Sequence, residues 1–424
     1  MAELIYNRGV SAGVRVDRAT QQEEALPRSL IFLSAALVGT SIFDSLVSID
    51  IGFFNSLSAL TLLFLSANYG VWVVKNGGFR LDTPIAIFGV FLLVGLVSAL
   101  ARESYYVFYY TVVDLKFFMA YIKAFAIYFI FFDLARRSKL LVPRIMMLVF
   151  AIVVAVYVLG IVGVLEVEAH GARTGLVFIN MNRQALLFAL CIVGAFGYVL
   201  SSWPKLGRFE YVLIGLAFVL LIALLSTASR GASLSAVAGL VVTVLAQYHR
   251  LPKSALASIV PMVILGTVLM MYTSDALNER MQVAIQGDTN HRVELATTGM
   301  EMFEEKPWLG YGADYPLEMG RIYRRVTKTV TAVHNMYLQI LLSFGIVGFL
   351  PWIVGVIYTF VRVWKARYDR WANIVFVLLF CIFMSGVAAN HAYEILTWII
   401  LGLAGGLALR YKETHERAAI RWGR

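Results

Sequence analysis

One histidine and a handful of arginines are the residues of this chain best suited to chemistry. His334 stands at the head of an apolar run, in Val333-His334-Asn335-Met336-Tyr337-Leu338-Gln339. Arg230 sits in Ser229-Arg230-Gly231 between two apolar runs, and Arg292 in His291-Arg292-Val293-Glu294-Leu295 within a polar stretch. Arg173-Thr174-Gly175 and Asn182-Arg183 place two more arginines before and at the start of another run. A guanidinium stays charged and grips phosphate through two parallel N–H bonds. An imidazole, with a pKa of about 6.5, can take the proton from an attacking hydroxyl. Fixed positive charge also stabilises a leaving diphosphate as its negative charge develops. Together these groups suit glycosyl transfer from a lipid diphosphate donor. The sequence has no paired-aspartate motif of the kind that holds Mg²⁺ or Mn²⁺, so the expectation is a site with no metal and no cofactor.

Such residues need elements to hold them, and composition says what those elements are. Hydrophobic residues make up 60% of the 424 and charged residues 15%, with a mean hydropathy of +0.77. A soluble domain carries about 25% charged residues, so the phospholipid bilayer is the expected solvent here. Continuous apolar runs of roughly 20 residues fit helices rather than barrel strands. The fold class expected is all-α: a polytopic membrane protein of about twelve transmembrane helices with one long helical periplasmic loop. The spans are read at 29–48, 51–74, 84–101, 117–134, 143–165, 178–200, 209–226, 232–248, 254–273, 336–360, 371–390 and 393–409. This divides the chain into a cytoplasmic tail (1–28), spans one to nine (29–273), the loop (274–333), spans ten to twelve (334–409) and a second tail (410–424). The first tail lacks the apolar core and cleavage site of a signal peptide. Cys191 and Cys381 fall within spans and are read as packing residues.

Orientation follows from the basic residues. With the first tail inside, the cytoplasmic segments carry about 23 of the 36 Lys and Arg. The short external connections carry only Arg102, Lys116, Arg173 and Arg230. Both termini are therefore expected in the cytoplasm and the long loop on the far side of the membrane. The net charge of +10 is then an orientation signal beside anionic headgroups, not a nucleic-acid surface.

The loop reads in two parts. Asp288-Thr289-Asn290 can cap a helix in which Val293, Ala296, Met300 and Phe303 share a face. Lys306-Pro307 stops it, and Gly310-Tyr311-Gly312 reads as a turn needing permissive backbone. Pro316 can start a second helix carrying Arg321, Arg324 and Arg325, basic enough to lie in the headgroup plane. Plainer roles compete: His334 as an interfacial cap, Arg321–Lys328 as a solvated face, Lys123 as a snorkelling or paired side chain. His391, after Asn390, is a second possible base ranked below His334. Asp44, Asp50 and Asp114 could each pair an arginine.

The string His334-Asn335-Met336-Tyr337-Leu338-Gln339, followed by Gly345-Ile346-Val347-Gly348, resembles the signature of the bacterial O-antigen ligase and polymerase superfamily. Arg292, then Lys306-Pro307-Trp308-Leu309-Gly310-Tyr311-Gly312, is similar to that family's long loop, and Ser229-Arg230-Gly231 to its small-Arg-Gly turn. The resemblance implies a metal-independent, inverting glycosyltransferase that takes glycan from undecaprenyl diphosphate. It implies His334 as base or orienting residue, with Arg230 and Arg292 on the diphosphate. Arg173, Arg183, Asn335, Tyr337, Arg321 and Arg325 would line the donor or acceptor. In the ligase branch the acceptor is lipid A-core; other branches polymerise repeat units or glycosylate proteins. Length, a single large loop and its basic helix favour the ligase. A transporter is the alternative from another class, but paired repeats with broken spans are not visible.

Overall fold

Runs of Leu, Ile, Val, Phe and Ala leave backbone polar groups no partner but their own helix once lipid surrounds them. The computed structural model describes residues 26–43, 57–76, 78, 81–100, 107–162, 167–170, 173–176, 181–248, 251–252, 292–313, 333–392 and 394–422. The helices in chain order are α1 (Arg28–Phe43), α2 (Leu57–Lys75), α3 (Thr83–Leu100), α4 (Val107–Arg137) and α5 (Leu141–Ile161). After a hairpin, β1 (Val167–His170) and β2 (Arg173–Leu176), come α6 (Met181–Ser202), α7 (Arg208–Ser226) and α8 (Arg230–Ala246). Then follow α9 (Arg292–Glu305), α10 (Met336–Lys365), α11 (Arg370–Ser385) and α12 (Ile395–Trp422).

Eight of these helices are long and apolar enough to cross a membrane, and α1, α8 and α11 are shorter apolar ones. These eleven coincide with eleven of the twelve expected spans. The remaining one, 254–273, lies outside the described residues, as do Arg321, Arg325 and most of 274–333. Three details differ from the sequence reading. The strands pair antiparallel, with His170 opposite Arg173 and Val167 opposite Leu176, the one strand pair among the described residues. Helix α4 starts at Val107 rather than near 117. Helix α12 runs to Trp422 because the charged stretch after 409 is itself helix-forming, with Lys412 and Glu416 paired at 3.5 Å.

The core lies where α4 meets α12. Gly402 and Gly406, one small-xxx-small step apart, let α12 close on the backbone of α4 at Tyr128 and Phe132. Trp398, Phe88 and Tyr128 pack edge to face there, at centroid separations of 5.0–6.1 Å. Helix α10 packs against α3 and α12, and α11 packs against α6 and α8. At the Arg- and Lys-rich ends of the helices, Arg137 and Tyr69 both reach Asp133, at 2.9 and 2.8 Å. Arg362 pairs with Asp82 at 2.6 Å and Arg136 with Glu413 at 2.9 Å. His334 lies at the other end of α10.

Helix α10 is broken at Gly345, whose φ of 60° and ψ of −168° suit essentially only glycine. The segment after α9 fills the break. Tyr311 N and Gly312 N donate to Leu342 O and Ser343 O at 2.7 and 2.9 Å. In return Ile346 N and Val347 N donate to Pro307 O and Trp308 O at 2.8 and 3.2 Å. The groups that the interrupted ladder would orphan are thus satisfied from another segment. Ser98 of α3 donates to Leu309 O at 2.5 Å and holds that segment from behind. Gly310 and Gly312, at φ 69° and 89°, make the expected turn.

Candidate functional site

His334 projects, exposed, from the residue just before the cap of α10, behind a buried Val333. Asn335 is the cap: its Oδ1 accepts from Tyr337 N and Leu338 N, both at 3.0 Å. Its Nδ2 donates across to Val387 O at 3.2 Å, and Met336 N donates to Gly386 O at 2.8 Å. Tyr337 Oη donates to Phe383 O at 2.9 Å. Asn335 and Tyr337, expected to contact substrate, therefore direct these polar atoms at protein backbone, which holds His334 against the end of α11.

Arg230 begins α8 after a tight turn in which Ala228 takes a φ of 49°. Ser229 Oγ donates to Asn182 Oδ1 at 3.1 Å, which ties this turn to the first residues of α6. A Cβ on Gly231 would stand 3.1 Å from the Ala388 Cβ. Residues 386–388 therefore carry His334 on one side, through Asn335 and Met336, and the start of α8 with Arg230 on the other. Arg230 is half-buried there.

Arg292 is the first residue of α9. That helix is fixed to the histidine helix by the segment that fills the α10 break and by a shared cluster of Leu295, Met302, Tyr311, Val333, Leu338 and Leu342. Close packing at Gly299, where a Cβ would be 3.0 Å from Leu338 Cδ2, tightens the seam. Arg173 opens β2, a strand that packs on α6 and α7.

Arg183 takes a different course from Asn182. Its Nε lies 2.8 Å from Glu394 Oε1, in the connection between α11 and α12. His391 of the same connection is buried, with Nε2 3.1 Å from Ser385 Oγ. Burial pushes the His391 imidazole down to about 4, and the charge of Arg183 adds to the effect. Burial pushes the Glu394 carboxyl up, against the attraction of Arg183. Sequence reading ranked His391 second and did not single out Glu394, whose signal was its place four residues after Asn390 beside an external turn. An enclosed neutral imidazole and an exposed one at a helix entrance differ in what they can reach. Of these two, His334 is the exposed one.

Comparison with known proteins converges on the same segment. Residues 215–353 match the family model described as O-antigen ligase. That stretch holds the end of α7, all of α8 and α9, and the start of α10, with Arg230, Arg292 and His334 inside it. The chain is also similar to an O-antigen ligase of Pseudomonas aeruginosa PAO1, 28% identical over 226 residues, or 52% of this chain. The match spans about half the length of that curated relative, 47%. Through residues 215–353, then, the chain is similar to the O-antigen ligase family.

Proposed function

We propose that the protein is an O-antigen ligase, moving a completed polysaccharide from undecaprenyl diphosphate to the lipid A-core acceptor in lipopolysaccharide assembly. The observation that carries this reading is the convergence on residues 386–388 of His334 and the Arg230 turn, with the Arg292 helix clamped to the His334 helix. Reaction takes place on the periplasmic face of the bacterial inner membrane, with both termini cytoplasmic. His334 accepts the proton of the acceptor hydroxyl as its oxygen bonds to the anomeric carbon. The bond from that carbon to the diphosphate oxygen breaks at the same time, on the opposite face, so configuration inverts. Arg230 and Arg292 neutralise the departing diphosphate, with Arg173 and Arg183 as further contacts to the donor. Asn335 and Tyr337 serve the acceptor side by fixing His334, and Arg321 and Arg325 hold the glycolipid at the membrane surface. No metal or cofactor is required by this scheme.

The test is reconstitution with polymer-bearing undecaprenyl diphosphate and rough lipopolysaccharide in the presence of EDTA. Wild type should produce a ladder on lipid A-core that His334→Ala loses by about 100-fold or more, the range for a general base. Polymer growth on the donor lipid, or glycan on protein, with rough lipopolysaccharide untouched would reassign the acceptor. Turnover by His334→Ala would remove the histidine from the chemistry.

A further inference from the structure

Two helices measure independently how deep the segment after α9 sits. Leu309 O accepts from Ser98, which stands about 22 Å along α3 from its first residue, Thr83, at 1.5 Å per residue. Trp308 O accepts from Val347 N, and Val347 stands about 22 Å along α10 from Arg362. Both measures start from one level, because Arg362 pairs with Asp82, the residue before Thr83. The same end of the molecule carries Arg136, Arg137 and Lys365, and charges of this kind do not lie deep in hydrocarbon. The hydrocarbon core is about 30 Å thick. A segment about 22 Å from that charged level is therefore inside the far half of the bilayer rather than in the water beyond it. Any tilt of the two helices brings it deeper.

The side chains change character at that depth. Glu301, Glu304, Glu305 and Lys306, at the end of α9, are all exposed. The Lys306 ammonium lies 4.9 Å over the Tyr311 ring, and Tyr311 Oη donates to Glu305 at 2.6 Å, so the last charges stay at the edge of the docked segment. Two residues on, Trp308 is largely exposed where the segment meets α10. The exposed apolar residues nearest the two anchor points in sequence are Val97, Leu100, Val347 and Leu350. They belong to two helices long and apolar enough to cross a membrane, so their outer faces meet lipid. A lysine at headgroup level with a tryptophan ring just beneath it is the arrangement that a membrane interface favours. We propose that residues 307–309 form a re-entrant membrane anchor in the half of the bilayer away from Arg362, with the Trp308 ring in contact with phospholipid. The anchor sets the level of α9, and with it of Arg292, whereas local sequence reads the same residues as part of a loop outside the spans. Its contact with lipid is independent of the transfer reaction.

The experiment reconstitutes the full-length protein in phospholipid vesicles and labels Trp308→Cys with bimane. Cys191 and Cys381 are buried, so the introduced thiol is the one read. Leu350→Cys is the lipid-facing reference and Glu304→Cys the aqueous one. Trp308→Cys should be quenched by phospholipids spin-labelled near the chain carbonyls as strongly as Leu350→Cys, and by iodide several-fold less than Glu304→Cys. The native ring is read separately, as the quenching of intrinsic fluorescence by brominated phospholipid, which should fall in Trp308→Phe. Iodide quenching at the Glu304→Cys level would return the segment to water and overturn the proposal. Protection from both quenchers would mean that protein rather than lipid covers the ring, and would also overturn it. So would equal brominated-lipid quenching in wild type and Trp308→Phe.

Discussion

Replacing Gly345 with alanine drives a methyl group into the backbone of Trp308, at the point where the segment after α9 fills the break in α10. Two costs arise. The backbone at φ 60° and ψ −168° is strained by about 1–3 kcal/mol for a non-glycine residue. If the segment is expelled, four backbone hydrogen bonds between 307–312 and 342–347 go with it, each worth about 1 kcal/mol net. The loss is then roughly 5 kcal/mol or more, a large share of an ordinary domain's stability. Chymotrypsin provides the local readout. Trp308 is 67% exposed in the docked state, whereas Tyr311 is 8% exposed. Cleavage after Tyr311 therefore reports undocking, and it should rise in Gly345→Ala together with a fall in transfer activity. Gly215→Ala on α7, where a Cβ meets nothing within 4 Å, is the matched control and should be silent. A Gly345→Ala protein with normal unfolding midpoint, protected Tyr311 and full activity would refute the account of the clamp.

Asn335→Ala removes the cap of α10 and the bridge to Val387, so it should cost about 0.5–2 kcal/mol. If it acts by misplacing His334, steady-state kinetics will show kcat falling more than KM rises. Arg230→Lys keeps the charge but not the paired N–H geometry, and donor affinity should drop about as far as in Arg230→Ala if the diphosphate is gripped bidentately. His391 is held neutral in the fold down to about pH 4, whereas an exposed imidazole protonates near 6.5. Between those values the unfolded chain binds more protons, so stability rises with pH across the window. Acidification from pH 7 to 5 should cost wild type about 2 kcal/mol through this group. Glu394, pushed the other way by burial, responds with the opposite sign in both proteins, so comparison with His391→Gln isolates the histidine in calorimetric or dye-based unfolding curves.

Helix positions were legible because lipid imposes one requirement, a continuous apolar run long enough to cross it, and Leu-, Val- and Phe-rich segments announce that directly. The start of α9 near Arg292, its stop at Lys306-Pro307 and the glycine turn after it were legible from local backbone chemistry. Long-range pairings were not. Nothing local to Gly345 says that Pro307 and Trp308 accept from the residues after it, since that depends on two segments meeting in space. The Arg183–Glu394 pair joins residues far apart in sequence, and periodicity is blind to it. The strand pair 167–170 and 173–176 was missed because four-residue strands are too short for alternation to stand out.

The backbone donors and acceptors that complete α10 come from residues translated before it, and this sets an order on biosynthesis. A helix interrupted at Gly345 enters the bilayer with carbonyls at Leu342 and Ser343 and amides at Ile346 and Val347 still unmatched, a state that hydrocarbon penalises. It becomes comfortable only when the stretch from Pro307 to Gly312, already synthesised, folds back onto it. The histidine is seated by the upper half of that same helix. A chain in which that stretch fails to dock therefore retains a defective helix, and the cell's membrane quality control has a physical defect to recognise before any substrate is engaged.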